Sequence, residues 1–113
     1  MALDKRIAKH LKDYHTGESL VVSSRELETA FGLRGPELRQ QINALRGEGW
    51  PICSTDKGYF YAGTEEELRR TIRQLQSRIK KIAHAERGLR KALAEQFTDS
   101  GQIAFPLEGG DSD

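Results

Sequence analysis

Residues 48–62 read EGWPICSTDKGYFYA. Two runs rich in aromatic and branched residues, Trp50–Cys53 and Tyr59–Ala62, flank a polar loop that closes on Lys57-Gly58. Paired runs around a glycine-bearing loop predict a β-hairpin, and Gly58 supplies the positive φ that such a loop requires. Pro51 has no N–H to give to a ladder, which places the first run at a sheet edge. The expected hairpin carries a cation, Lys57, at its tip.

Working upstream, Pro36 suits the first position of a helix, where its missing N–H costs nothing. Leu38, Ile42 and Leu45 follow at helical spacing, and Gly47 and Gly49 end the segment after Arg46. Before it, Leu33-Arg34-Gly35 reads as a three-residue turn. Ser23 opens S-S-R-E, a capping box with Glu26, for a short helix through Phe31 whose apolar face is Leu27, Ala30 and Phe31. Gly32 stops that helix. Leu20-Val21-Val22 reads as a short strand. Leu3, Ile7, Leu11 and Tyr14 form one stripe of a first helix that Thr16-Gly17 terminates. Two helices joined by a short glycine-containing turn fit the helix-turn-helix pattern. Helix, helix, recognition helix and hairpin, in that order, is the sequence of elements in a winged helix.

The stretch GLRGPELRQQINALRGEGWPICSTDKGYFYAG resembles the N-terminal winged-helix domain of biotin-dependent repressors and related phage and prophage DNA-binding proteins. The residues that carry the resemblance are Leu45, Gly49, Pro51, Ile52, Lys57, Gly58 and Tyr59, within a match over residues 5–63. No part of the chain matches a biotin-ligase catalytic domain. The resemblance implies a sequence-specific double-stranded DNA-binding protein, either a phage-type transcriptional regulator or a replication accessory factor.

Helical angles of about 100° per residue then separate the faces of the recognition helix. Opposite Leu38, Ile42 and Leu45 lie Pro36, Gln40, Asn43 and Gly47, with Arg39 and Arg46 on one flank and Glu37 and Ala44 on the other. Gln and Asn pair bidentately with adenine, and Arg pairs with guanine or holds phosphate; otherwise Gln40, Gln41 and Asn43 are a solvated surface. Glu37 can read a cytosine, but its place at the helix start favours a role in complementing the helix dipole. Phosphate contacts are expected from Arg34, Lys57, Ser23 and Ser24, the serines together with the free amides of their helix start. Residues 1–63 hold nine basic and eight acidic residues, so a single copy is expected to bind weakly and a dimer to join two half-sites.

From Thr64 a second capping box, closed by Glu67, opens a long helix with three glutamates in its first turn. Leu68, Ile72, Leu75, Ile79, Ile82, Glu86, Leu89 and Leu93 alternate spacings of 4 and 3, a heptad seam broken by Glu86. Ile72 and Ile79 occupy a positions, and Leu68 and Leu75 occupy d, the choice that favours two parallel strands. The e residues (Arg69, Gln76, Ala83, Arg90) and g residues (Thr71, Arg78, Ala85, Ala92) offer no complementary charge pairs. The alternative is that this helix packs back against the first one.

Beyond the helix the chain turns polar and acidic, the composition of a flexible tail. Within it Gln102, Ile103, Phe105 and Leu107 resemble the glutamine-led peptides by which bacterial replication proteins dock on the sliding clamp, with Ile103 and Phe105 where leucine is more usual. This makes a replication protein an expected partner of the tail.

Charge and composition bound the rest. The 113 residues carry a formal net charge of +1, but residues 1–96 hold 18 basic against 13 acidic residues, and the tail holds four acids and no base. A single cysteine, Cys53, excludes an intrachain disulfide and reads as a small buried residue. Three scattered histidines give no ligand spacing for a metal, and no cofactor motif is present. No apolar run reaches a membrane-span length and no signal peptide opens the chain, so a cytoplasmic protein is expected. No nucleophile–base pair or phosphate-binding glycine loop points to an enzyme. The expected fold is mostly α with a small β-hairpin, a winged helix-turn-helix over 1–63, a long helix over 64–96 and a tail over 97–113. The alternative function is a protein-interaction adaptor built on the same fold.

Overall fold

The computed structural model describes residues 3–97. The element order is α1 (Lys5–Tyr14), a single 3-10 turn (Glu18–Leu20), α2 (Ser24–Phe31), α3 (Gly35–Gly47), β1 (Ile52–Thr55), β2 (Gly58–Tyr61) and α4 (Glu65–Gln96). The chain is thus mostly helical, with one antiparallel hairpin and a long C-terminal helix.

Each short helix starts on a side-chain cap. Asp4 accepts the Arg6 amide at 3.0 Å to open α1, and the Arg6 guanidinium clamps the same carboxylate at 2.9 Å. The Arg6 side-chain hydrogen bond is the main reason the Asp4 carboxyl is held below its usual range. Ser23 Oγ accepts the Glu26 amide at 3.1 Å to open α2, and Gly32, at φ +65°, closes it. The Glu37 carboxylate reaches back to the Arg34 amide at 2.8 Å to open α3.

α1 buries Ile7, Ala8 and Leu11, α2 buries Leu27, and α3 buries Leu38, Ile42 and Leu45; with Val22 and Ile52 these form one core. Two sequence expectations shift here. Tyr14 is exposed and Ala8 takes its place, because the last turn of α1 runs past the edge of the core. Ala30 is exposed as well, leaving Leu27 and the half-buried Phe31 as the inner face of α2.

The hairpin pairs Ile52 with Tyr61 and Thr55 with Gly58, leaving Asp56 and Lys57 as its two-residue turn. The far side of β2 is also occupied. Val22 and Tyr59 exchange two backbone hydrogen bonds at 2.9 Å, and Tyr61 donates to His15 O and accepts from Gly17 N at 2.8 Å. β2 is therefore central and β1, preceded by Pro51, is the edge. The strand expected at Leu20–Val22 is reduced to the single residue Val22. The 3-10 turn takes up Leu20 and Ser23 already caps α2, so only Val21 and Val22 lie between them, and of these Val22 pairs with Tyr59.

The chain divides into two compact units, Met1–Gln74 and Leu75–Asp113, so the first turns of α4 belong to the N-terminal unit. They are tied in by Glu67 and Thr71. Glu67 forms the expected box with Thr64 and also accepts the amides of Gly63 at 2.7 Å and Glu18 at 3.0 Å. Thr71 is buried, and its hydroxyl accepts the Ser54 amide at 3.4 Å.

Candidate nucleic-acid interface

The outward face of α3 is set by the packing of its inner face. Leu38, Ile42 and Leu45 are at most 1% exposed. At 3.6 residues per turn this turns Pro36, Arg39, Gln40 and Asn43 to solvent, and all four are exposed. Among the described residues, none of Arg39, Gln40 and Asn43 makes a side-chain hydrogen bond or ion pair. Their donors and acceptors are thus available on one helix face.

The neighbouring polar residues of α3 are committed elsewhere. Gln41 is buried, and its Oε1 accepts the Asp4 amide at 2.8 Å, fastening α3 to the start of α1. This corrects the solvated reading of Gln41. The side chain lies one helical step toward the core from Gln40, and burial is tolerable because Asp4 satisfies it. Arg46 is half-buried and donates to Ile52 O at 2.9 Å and Ser54 Oγ at 3.1 Å, clamping the end of α3 to β1. Glu37 is used by its own helix start, and the Arg34 amide holds its carboxyl below the ordinary glutamate range.

The expected phosphate contacts fall into two groups. Lys57 stands exposed at the hairpin turn, where its amide donates to Thr55 Oγ1 at 3.1 Å and its side chain is unpaired among the described residues. Arg34 is exposed in the turn before α3, 3.6 Å from Glu37. Ser24 is exposed in the first turn of α2, whereas Ser23 is half-buried with its oxygen committed to the cap. α3, its leading turn and the hairpin tip therefore hold exposed polar and cationic groups, while the residues between them hold the fold together.

Along α4, Leu68 and Leu75 are half-buried and the remaining seam residues are open. Ile72 is 46% exposed, and Ile79, Ile82, Leu89 and Leu93 are 62–73% exposed. Glu86, inside the seam, is ion-paired with Arg90 one turn on. Gln102, Ile103, Phe105 and Leu107 lie outside the described residues.

Cys53 is fully buried, and this burial pushes its thiol up, the Thr71 hydroxyl acting in the opposite direction. Sequence reasoning missed the reach of Glu67 and Arg70 to Glu18, the latter pair at 2.7 Å. The capping motif was legible, but a contact spanning 49 residues has no local signal. Among the described residues no group of three His, Cys, Asp or Glu is placed to hold a metal ion, and no helix is long and apolar enough to cross a membrane.

Compared with known proteins, the chain matches no family model, no curated protein and no solved structure.

Proposed function

We propose that this chain is a winged helix-turn-helix protein that binds double-stranded DNA, with α3 in the major groove and the hairpin turn on the phosphate backbone. The observation that carries this reading is the row Arg39, Gln40 and Asn43. They are exposed, unpaired among the described residues and fixed in direction by the packed opposite face of α3. These are the residue types that recognise guanine and adenine edges. Lys57, Arg34 and Ser24 supply the accompanying backbone contacts.

A second copy of the chain completes the proposal. An apolar seam whose Ile72, Ile79, Ile82, Leu89 and Leu93 are exposed over several turns is buried best by a helix of the same periodicity. Pairing two copies through α4 joins two recognition helices, which a nearly neutral N-terminal region needs for useful affinity.

Selection of bound duplexes from a random pool tests the assignment. Enrichment of a defined motif, lost in a Gln40→Ala/Asn43→Ala variant, is the expected result. Recovery of unselected sequence would remove α3 from the recognition role. The near balance of charge over residues 1–63 favours a second reading, a winged helix that grips protein instead of DNA. On that reading the same selection yields no bound duplex.

A further inference from the structure

The distal part of α4 carries charge that the site on α3 leaves unused. Residues 1–74 contain twelve basic and eleven acidic residues, whereas residues 75–97 contain six and two. Pairing changes at the same point. In the first turns of α4, Arg69 pairs with Glu65, Arg70 with Glu18 and Arg73 with Glu66. Past Gln74 the ion pair among the described residues is Arg90 with Glu86. Arg78, Lys80, Lys81, Arg87 and Lys91 are exposed and, among the described residues, have no carboxylate within ion-pair distance.

Three of these five cations also share a direction. At about 100° per residue, Lys80, Arg87 and Lys91 fall within an arc of about 40°, while Lys81 and Arg78 lie outside it. That arc is centred about 150° from the stripe of Leu75, Ile79, Ile82, Leu89 and Leu93. A second copy that covers the apolar stripe leaves this cationic one facing outward.

We infer that the cationic stripe is a contact for the phosphate backbone of duplex nucleic acid. It is a sequence-independent attachment that rests on the DNA-binding reading of α3 and strengthens it. From Lys80 to Lys91 the helix advances about 16 Å, close to five base-pair rises of about 3.4 Å. A row of cations over that length suits a run of phosphates better than a point anion. It also supplies the electrostatic footprint that the N-terminal unit lacks, since neutralised phosphates release counterions and so drive binding.

A lipid surface is the competing polyanion and fits less well. The Glu86–Arg90 pair sits within the apolar stripe and would be carried toward hydrocarbon, where charge is costly.

The test uses the full chain and the triple variant Lys80→Gln/Arg87→Gln/Lys91→Gln, each titrated with a short mixed-sequence duplex over a range of salt. The variant is expected to lower the slope of log affinity against log salt by about 2–3 units, near 0.9 per lost phosphate contact. Its helicity, oligomeric state and base preference should stay those of the wild type. The charge-conserving triple Lys80→Arg/Arg87→Lys/Lys91→Arg should keep the wild-type slope, which separates charge from helix integrity. An unchanged slope in the glutamine variant overturns the inference. So does a wild type that binds phosphatidylserine–phosphatidylcholine vesicles in preference to the duplex. Failure of the α3 reading alone looks different: the wild type then binds duplex without base preference, and the glutamine variant still loses that binding.

Discussion

At Gly58 the backbone of Ser23 and Val22 passes so close to β2 that no side chain fits. A Cβ there would meet the Val22 carbonyl oxygen, with Val22 C at 2.7 Å and Ser23 Cα at 2.8 Å, and φ is +144°. Gly58→Ala is therefore expected to lower stability by more than about 2 kcal/mol in urea unfolding, combining backbone strain with the displacement of Val22. Gly49→Ala is the control. Its φ is +98° but nothing lies within 4 Å, so strain alone should cost about 1–2 kcal/mol. Equal losses for the two would deny the close approach at Gly58. The sequence showed that a glycine was needed in this loop; it could not show that Val22 stands against it. Glu67 gives a pH-dependent counterpart. Its carboxyl is held below the ordinary range first by the Glu18 amide and then by the Gly63 amide. A folded-state value below the unfolded one means stability that is present at neutral pH and lost as pH falls through the lowered value. Glu67→Gln should thus be less stable than wild type at pH 7, with the gap closing on acidification. A gap independent of pH would place the effect elsewhere.

Among the elements, α3 was the most legible, since a period of 3.6 fixes both its buried stripe and its opposite face from spacing alone. Replacing Gln40 or Asn43 by Ala should relax base preference at one position by about 1–3 kcal/mol for each bidentate contact. The hairpin should behave differently. Lys57→Ala is expected to weaken binding to all sequences alike and to make the salt dependence shallower by about one unit. A loss of specificity at an unchanged salt slope would take Lys57 off the backbone. For α4, Ile79→Asp places an unpartnered charge in the proposed seam, where burying it is costly. Sedimentation should show an oligomeric wild type and a monomeric variant whose far-UV signal is largely kept. A wild type that sediments as a monomer would leave the seam without its second copy.

Taken as a whole, the molecule places part of its long helix inside the N-terminal compact unit. A boundary at residue 63 follows from the capping box at Thr64, yet the compact unit runs to Gln74. Residues 1–74 alone are expected to unfold cooperatively. Truncation after Gly63 removes the Glu67 bonds to Gly63 and Glu18 and the Thr71 bond to Ser54. That should cost about 2–4 kcal/mol at roughly 1 kcal/mol for each hydrogen bond. Two truncations of equal stability would return the boundary to the capping box.

The sequence by itself determined the order of the four helices and the hairpin, the caps at Ser23 and Thr64, the core stripe of α3 and the apolar periodicity of α4. Each is encoded within a turn or two of chain, where periodicity and capping chemistry act. The tertiary structure decided the rest. It buried Gln41 against Asp4, made Arg46, on the flank of α3, a clamp on β1, and reduced an expected strand to Val22. It also joined Glu67 to Glu18 across the chain. All of these depend on groups far apart in sequence satisfying one another's hydrogen bonds, and no local pattern records such a partner.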